Sequence, residues 1–375
     1  MRAADIHSAE DARRLARRRL PWMVFDYIDG AAGPETGAAR NRAAFDAATL
    51  RPRVLRDVSQ RTLSVPLFGA RAGKPFGIAP MGMCNLAAPG ADLMLARLAA
   101  RERVPLGVST VASTPLERLI ELAEGHAWFQ LYFSGDGATA FRLVARARAA
   151  GYETLVLTVD VPEVGRRPRE LRRGFRMPFR IGPRQFLDFA LHPRWSLSTL
   201  AAGRPQMANF QTPGFTFERT ESRARATWET FERLRETWPG RLVVKGILDP
   251  EDAARAREGG ADAIQVSNHG ARQLDSAPAS LTALRAIRAA LGDDIPLFLD
   301  SGLRGGEDIL KAFVHGARFC FLGRVLLFAI AAAGEEGLRA LWEALSDELS
   351  IAMAQTGLCA LDSPAVGAAD RDAPA

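Results

Sequence analysis

The chain has 375 residues, of which 47% are hydrophobic and 25% charged, so it is long enough for one large barrel or two medium globular domains. A formal net charge of +6 favours anionic partners such as acidic substrates, phosphates, lipid surfaces or nucleic acid. The arginines are scattered and form no nucleic-acid-binding motif, so we expect no nucleic-acid partner.

The three cysteines, Cys84, Cys320 and Cys359, are widely separated and odd in number. This pattern indicates a reducing compartment without a disulfide framework, and no Cys/His cluster has metal-ligand spacing. The N-terminus lacks the apolar stretch of a secretory signal, and the apolar run at Val325–Ala333 is too short to span a bilayer. We expect a cytoplasmic protein without a bound metal.

Residues 1–75 are expected to form a helical segment in front of the regular part of the chain. Asp11–Leu20 predicts a basic helix, and Pro21 begins a second segment. That segment, Trp22–Gly33, mixes aromatic and acidic residues and ends in glycines, as a helix with a glycine stop does.

From Phe76 onward, short apolar runs alternate with helical stretches. The predicted strands are Phe76–Ala79, Val104–Val108, Ala127–Tyr132, Thr154–Val159, Arg241–Lys245, Ala263–Val266, Pro296–Leu299 and Arg318–Leu322. Predicted helices between them include Asp92–Arg103, Thr139–Ala150, Pro250–Glu258 and Leu281–Leu291. This alternation favours an α/β fold, a (β/α)8 TIM barrel over residues 76–334 within a single domain 1–375. In the remainder, 335–375, we expect a helix over Glu335–Ala354 and a frayed tail after Gly357.

Polar side chains and glycines follow the predicted strands, at the end where barrels of this class carry their chemistry. They are Ser109, Gln130, Tyr132, Thr158, Asp160, Lys245, Ser267, His269, Asp300, Gly323 and Arg324. His269 titrates near neutral pH and could act as a base, and the forked donors of Arg272 suit a carboxylate. A base beside an anion clamp suggests proton abstraction from a small acid, although a polar loop after a strand would look similar.

Lys245 ends an apolar strand, where a lysine is costly unless it is paired. It could be a Schiff-base nucleophile, a cation facing an electron-rich cofactor, or one half of a core ion pair. The glycine-rich stretches Asp300–Gly306 and Leu322–Arg324 follow the last two strands, where many barrels bind phosphate.

A competing motif, Gly135–Ala140, fits Gly-x-Gly-x-x-Ala after a strand, and Asp160 ends the next strand. A NAD-binding unit would have this pattern. A Rossmann fold would leave the later strand ends unexplained, so the barrel is favoured.

A long insert separates Asp160 from Arg241, and its first part, Arg166–Trp195, is rich in arginine and in aromatic or apolar residues. This composition suits the surface of an anionic membrane. A solvated basic loop that covers the active site is the alternative.

The string from Ser267 to Asp275, Ser-Asn-His-Gly-Ala-Arg-Gln-Leu-Asp, closely resembles the signature of the FMN-dependent 2-hydroxy-acid oxidase and dehydrogenase family. The resemblance runs from about Ile6 to Gly357. It implies FMN as cofactor, oxidation of an (S)-2-hydroxy acid, and a homo-oligomer, since members of the family are often tetramers.

The resemblance also implies roles. Residues in the FMN role are Ala79, Pro80, Met81, Ser109, Gln130, Thr158, Lys245, Ser267, Asp300, Arg304, Gly323 and Arg324. Tyr27, Arg167 and Arg272 would hold the substrate carboxylate, and Tyr132 would hydrogen-bond the hydroxyl or keto oxygen. His269 would be the base, oriented and made more basic by Asp160, while Lys245 would stabilise the reduced flavin.

Two positions depart from residues that are common in this family. Met81 stands where many members have threonine, and Val111 stands where glycolate oxidase has tryptophan, which disfavours small substrates of the glycolate type. Gly82, where several oxidases have alanine, is similar to the mandelate dehydrogenase branch and is expected to leave more room beside the flavin. Leu191–Leu197 and Pro205–Phe210 are similar to that branch's membrane-binding segment. The implied substrate is aromatic or bulky.

The implied acceptor is a membrane quinone. Attachment would be peripheral, on the cytoplasmic side of the inner membrane, through the 174–215 part of the basic and aromatic insert 166–215. Lactate as substrate and oxygen as acceptor remain alternatives.

Overall fold

The computed structural model describes residues 2–133, 137–175, 181–211 and 222–369. Eight parallel strands form a closed barrel in the order β10-β3-β4-β5-β6-β7-β8-β9. Their bounds are β3 Phe76–Met81, β4 Leu106–Ser109, β5 Ala127–Tyr132, β6 Thr154–Thr158, β7 Arg241–Ile247, β8 Ala263–Val266, β9 Leu297–Leu299 and β10 Phe319–Leu322. The predicted (β/α)8 barrel is confirmed, with every predicted strand within two residues of its place.

The barrel strands are apolar because both of their faces are covered. At the N-terminal end of the barrel, Trp128, Phe298 and Phe321 pack together inside, with ring centroids 5.4–6.0 Å apart. An unpredicted antiparallel hairpin, β1 Val65–Leu67 and β2 Ala70–Ala72, closes this end. Its Phe68 ring lies 5.5 Å from Trp128, so aromatic side chains fill the barrel interior at this end.

Fourteen helices surround the barrel in the described part of the chain. They are α1 Ala9–Arg19, α2 Trp22–Asp29, α3 Thr36–Ala47, α4 Ala91–Glu102, α5 Leu116–Leu122, α6 Ala138–Ala149, α7 Pro168–Arg172, α8 Pro183–Leu191, α9 Pro193–Ala202, α10 Trp228–Thr237, α11 Pro250–Glu258, α12 Ser280–Leu291, α13 Gly306–Val314 and α14 Arg324–Gln355. Side chains cap several starts: Ser8 accepts from the Asp11 N–H, and Asp249 accepts from the Glu251 N–H. The predicted helices are present.

The C-terminal part differs from the prediction in two ways. The helix expected from Glu335 is the second half of α14, which begins at Arg324 and has non-helical dihedral angles at Ala333 and Gly334. The tail is not frayed up to Ala369. Leu358, Leu361 and Val366 are buried, and the Arg51 N–H donates to the Ala369 carbonyl at 2.9 Å.

The insert between β6 and β7 contains α7, α8, α9 and α10. Pro168, Pro183 and Pro193 start the first three of these helices, a position where proline loses no helical hydrogen bond. Arg176, Phe179 and Arg180 of the predicted basic and aromatic segment lie outside the described residues. No helix within the described ranges is long and apolar enough to cross a bilayer.

Candidate active site

A cavity of about 220 Å³ opens at the C-terminal ends of the barrel strands. It is lined by most of the residues that the sequence predicts for a site: Tyr27, Ala79, Pro80, Met81, Gly82, Tyr132, Lys245, Arg167, His269, Arg272, Asp300, Arg304, Gly323 and Arg324. The other predicted residues, Asp160, Ser109, Gln130, Thr158 and Ser267, lie behind the lining on the same strand ends.

His269 is held between a carboxylate and a phenol. Its Nδ1 lies 2.9 Å from Asp160 Oδ1, and its Nε2 lies 3.3 Å from Tyr132 Oη. An ionised carboxylate only accepts hydrogen bonds, so Nδ1–H donates to Asp160 and the neutral ring keeps an acceptor lone pair on Nε2. Tyr132 Oη therefore donates to Nε2, on the side of the cavity.

The turn after β8 places His269 in a left-handed conformation, with φ 58°. Such a conformation costs free energy in a non-glycine residue and persists where neighbouring contacts fix it. The His269 N–H donates to Ser267 Oγ at 3.0 Å, and the Gly270 N–H donates to Ser301 Oγ at 2.8 Å. Ser301, which the sequence did not single out, also has positive φ, so two strand-end turns support each other.

Gly246 allows Asp160 to approach the base. It has φ +111° at a register shift in β7, and a Cβ there would lie 2.7 Å from Asp160 Cβ. Any larger residue would displace the carboxylate that orients His269.

Burial and charge set the protonation states of this pair. Burial alone would raise the pKa of Asp160, but the nearby His269 and Lys245 lower it overall, so this carboxylate is ionised. Burial lowers the pKa of His269 more than Asp160 raises it. Asp160 raises the pKa of His269, as predicted, but this effect is smaller than that of burial. The pKa of His269 is therefore lowered overall, and the imidazole is neutral at neutral pH.

Two arginines converge on the cavity near His269. Arg167 Nε donates to the Arg272 carbonyl at 3.1 Å, and Arg272 Nη1 donates to the Gly30 carbonyl at 2.6 Å. Both guanidiniums also donate to one oxygen of Glu170, from Arg167 Nη1 at 3.2 Å and Arg272 Nη2 at 2.9 Å. Glu170 was not predicted as a site residue, although Arg167 and Glu170 have the i,i+3 spacing of a helical ion pair.

Tyr27 reaches the cavity from α2. Its ring stacks on Phe175 at 4.4 Å, and the Arg272 guanidinium lies 5.4 Å from the ring centroid. Its hydroxyl is 3.4 Å from the Gly82 carbonyl. Helix α2 thus brings a phenol beside Arg272 and into the cavity that Arg167 also lines.

Lys245 is a buried ammonium with a carboxylate partner. Its Nζ donates to Ser267 Oγ at 3.0 Å and lies 3.5 Å from Asp300 Oδ2. Burial opposes the charge, but Asp300 and Asp160 raise the pKa of Lys245 overall. A charged ammonium is not a nucleophile, so a Schiff-base role for Lys245 is not supported.

Arg304 and Arg324 form a cationic pair in the cavity wall. Arg324 donates to the carbonyls of Asp29 at 3.1 Å and Gly270 at 2.7 Å, and no ion pair to either guanidinium occurs in the described ranges. Burial and the nearby guanidiniums lower the pKa of Arg324 to about 9, and burial lowers that of Arg304. A phosphate between them would supply the missing counter-charge. Helix α14 begins at Arg324, and a helix N-terminus also favours an anion.

Two buried polar atoms fit a flavin. Gln130 Nε2 and Thr158 Oγ1 are buried without a hydrogen-bond partner, which is costly unless a ligand supplies one. Ser109 Oγ donates to Gln130 Oε1 at 3.1 Å and so orients the amide. A flavin with the polar edge of its ring at these strand ends and its phosphate at Arg304 and Arg324 would satisfy all of these groups. The residues present therefore fit FMN.

Gly82 does not leave empty space. A Cβ at this position would lie 2.5 Å from Val111 Cγ2, so a methyl group of Val111 already fills the volume. The expectation of extra room beside the flavin is corrected: the pair Gly82 and Val111 forms the wall together.

A second cavity of about 110 Å³ adjoins the first, and both are lined by Tyr27, Val111, Tyr132, Arg167 and His269. Its remaining lining, which the sequence could not place, is Met83, Val161, Val164, Met207, Arg223 and Gln273. Arg223 lies 5.2 Å from the Tyr132 ring. Most of this lining is apolar, and Met207 comes from the insert.

A closed parallel barrel that brings a histidine, two arginines and two buried polar atoms without a partner to its strand ends has the groups expected of an FMN-dependent oxidoreductase. Residues 16–366 match the family described as FMN-dependent dehydrogenase, and the chain belongs to that family. FMN is its cofactor. The closed barrel rules out a Rossmann fold, and Gly135 and Asp136 of the competing NAD motif lie outside the described residues.

Named relatives match nearly the whole chain. (S)-Mandelate dehydrogenase of Pseudomonas putida is 39% identical over 360 residues, which cover 94% of this chain and 91% of the relative. L-Lactate dehydrogenase of Pseudomonas paraeruginosa is 38% identical over 367 residues, 94% of this chain and 95% of the relative.

Solved structures are similar over the same length. The crystal structure of the monotopic membrane protein (S)-mandelate dehydrogenase has a TM-score of 0.91 and 38% identity, and the match covers 96% of this chain and 97% of that chain. A mandelate oxidase structure has a TM-score of 0.83 and 38% identity, covering 98% and 97%.

Proposed function

We propose that the protein oxidises an (S)-2-hydroxy acid with an aromatic or bulky side chain, of the mandelate type, to the 2-keto acid. Electrons then pass to a membrane quinone-type acceptor. One observation carries this proposal: His269, fixed between Asp160 and Tyr132, lines the same cavity as Arg167 and Arg272. A base beside two carboxylate-binding arginines is what oxidation at the α-carbon of a hydroxy acid requires.

In this mechanism, Arg167 and Arg272 bind the substrate carboxylate through their forked donors, with Tyr27 beside them. Tyr132 hydrogen-bonds the substrate hydroxyl, whose oxygen becomes the keto oxygen. His269 Nε2 accepts a proton, from either the α-carbon or the hydroxyl, and the imidazolium that forms is stabilised by Asp160.

FMN, when bound, supplies the two-electron acceptor. Lys245 keeps its positive charge beside the cavity and so favours negative charge there. Asp300 balances the charge of Lys245, because its Oδ2 lies 3.5 Å from the ammonium. Hydrogen bonds from Ser267, Gln265 and Ser301 hold the Asp300 carboxylate in this position.

The second cavity supports a bulky substrate. A carboxylate on the two arginines and an α-carbon at His269 would direct the substrate side chain away from the flavin site, toward Met83, Val161 and Met207. An apolar cavity of roughly 150 Å³ binds benzene, and this one has about 110 Å³ and is open to the first. Lactate, whose side chain is a methyl group, would leave most of it unfilled and remains the rival substrate.

The surface of α8 and α9 supports peripheral membrane attachment. Large apolar side chains are more than half exposed on these helices and just before α8: Ile181, Phe186, Leu187, Leu191, Leu197 and Leu200. Exposed Arg184, Arg194 and Arg204 lie among them, as in segments that bind anionic lipid surfaces. A mandelate dehydrogenase of similar structure is described as monotopic. The cytoplasmic side and a tetrameric assembly stay predictions.

The purified protein should convert (S)-mandelate to its 2-keto acid with an artificial electron acceptor, and (R)-mandelate should not react. Replacing the artificial acceptor with a water-soluble quinone should sustain turnover, and oxygen should not. Turnover of L-lactate with a higher kcat/KM than (S)-mandelate would contradict the proposed substrate. Rapid peroxide formation would contradict the proposed acceptor.

A further inference from the structure

A buried carboxylate connects the two arginines of the proposed substrate site. Glu170 is only 2% exposed, and its Oε1 accepts from Arg167 and from Arg272. Glu170 lies in the first turn of α7, where the helix N-terminus favours a negative charge. One oxygen that binds two cations fixes the distance between them.

Backbone carbonyls hold other edges of the two guanidiniums. Arg167 Nε donates to the Arg272 carbonyl, and Arg272 Nη1 donates to the Gly30 carbonyl and lies 3.5 Å from the Ile28 carbonyl. Glu170 is the contact that the two guanidiniums share. Without it, each guanidinium would keep its carbonyl contacts but would lose this link to the other guanidinium.

The charges are also matched. Two guanidiniums and one carboxylate carry a net charge of +1, which a monocarboxylate substrate neutralises. Buried cations without a counter-charge are costly, so an acid between them reduces their repulsion while the site is empty. Glu170 lines neither the first cavity nor the second, so it is not placed to reach the reacting atoms.

We propose that Glu170 is a positioning residue, which holds Arg167 and Arg272 in the geometry that orients the substrate carboxylate. Through the two arginines it sets where the α-carbon lies relative to His269. The inference rests on the proposed function, because it assigns the arginines to the carboxylate of a 2-hydroxy acid.

The test uses Glu170→Gln, which keeps the shape and one acceptor oxygen but removes the charge, and Glu170→Ala, which removes the bridge. Glu35→Gln is the matched control. Glu35 lies 3.0 Å from Arg169. Arg169 belongs to α7, as Glu170 does, but Arg169 lines neither cavity. Two quantities are measured in each holoenzyme: the limiting rate of anaerobic flavin reduction by (S)-mandelate, and the Kd of the 2-keto acid by calorimetry.

A positioning role predicts that Glu170→Gln lowers the limiting rate about tenfold while the Kd of the keto acid changes less than about threefold, because binding needs charge and reaction needs orientation. Glu170→Ala should lower the rate further and weaken keto acid binding. Glu35→Gln should change neither quantity.

Unchanged limiting rates in both Glu170 variants would overturn the inference. So would an equal loss in Glu35→Gln, which would show a general effect of the arginine network. If Glu170→Ala does not fold, the nearly isosteric Glu170→Gln decides. If no 2-hydroxy acid reduces the flavin of the unmutated protein, the proposed function is contradicted instead. Calorimetry would still test Glu170 in that case. Unchanged binding of the keto acid in Glu170→Ala would overturn the positioning role.

Discussion

The barrel rim and the insert use their side chains in opposite ways. At the rim, the polar side chains are almost fully buried and form hydrogen bonds with one another, as in Lys245, Ser267, Gln265 and Asp300. Other polar groups of the rim face the cavity. On α8 and α9 of the insert, large apolar side chains face outward instead. Isolated exposed apolar residues are ordinary, but a cluster of them marks an interaction surface.

The insert surface is held firmly in place despite its exposure. Trp195 Nε1 donates to the Leu86 carbonyl at 2.8 Å, and fully buried Asn209 accepts from the Leu116 N–H at 3.0 Å. Asp188 of α8 accepts from the N–H groups of Trp22 and Met23, and so caps α2. The comparison teaches that one stretch of chain can complete the active site on its inner side and present an apolar surface on its outer side.

The largest effect is expected at the rim. His269→Gln should retain FMN but reduce it with substrate about a thousandfold more slowly, because the base is lost while the phosphate site is intact. His192→Gln is the control in the insert, where His192 Nδ1 contacts the Asp188 carbonyl, and its reduction rate should not change. Stopped-flow reduction measures both, and near-normal reduction in His269→Gln would remove His269 from catalysis.

Arg272→Lys should lower kcat/KM for the hydroxy acid about a hundredfold, since a point charge replaces a fork that also contacts Gly30 and Glu170. Steady-state kinetics with (S)-mandelate measures this. Arg194→Lys, an exposed arginine of α9, should have no effect. Equal kinetics in the two variants would contradict the carboxylate clamp.

Replacing Phe186, Leu187 and Leu191 with serine should weaken binding to anionic vesicles at least about tenfold and leave anaerobic reduction unchanged. Ile351→Ser is the control, because Ile351 is also a helical apolar residue that is more than half exposed. Co-sedimentation that survives the triple replacement would show that this surface does not bind membranes.

The pH dependence tests the base directly. Neutral His269 is the active form, so the reduction rate should fall as the pH drops through its pKa, below the usual range for histidine because burial lowers it. Asp160→Asn removes a contribution that raises this pKa, so the fall should move to still lower pH. The maximal rate should drop about tenfold or more, because the ring orientation is lost. An unshifted profile in Asp160→Asn would contradict the pairing.

The smallest effect concerns the contact between the two regions. Asp188→Asn weakens the cap of α2, the helix that carries Tyr27, and should raise KM by no more than about fivefold. Asp46→Asn, at an exposed position of α3, serves as the control. No change in KM would show that α2 keeps Tyr27 in place without the insert.

The sequence predicted the barrel well because a buried parallel strand is a short apolar run, and each run is followed by a helix pattern. It could not predict the hairpin of β1 and β2, whose strands have three residues each. It also did not predict α8 and α9, because the basic and aromatic composition around Arg184, Phe186 and Trp195 indicates a surface segment without indicating its helices. The order of the tail was not predictable either, because its alanines and prolines conceal Leu358 and Val366, which pack into the core.

For the site, positions at strand ends were predictable because their polar residues interrupt apolar runs. Glu170 was not, because within a segment full of arginines an acid resembles an ordinary solvated residue. The second cavity was not predictable either, since Val161 and Met207 meet only after the insert folds back on the barrel.

The visible spectrum of the purified protein under anaerobic conditions, before and after addition of (S)-mandelate and then of L-lactate, tests the central claim most directly. We predict a yellow protein that (S)-mandelate bleaches rapidly and L-lactate bleaches slowly. Bleaching by L-lactate alone would contradict the assignment of the second cavity to a bulky side chain. A colourless protein that cannot be reconstituted with FMN would contradict the whole account of the site.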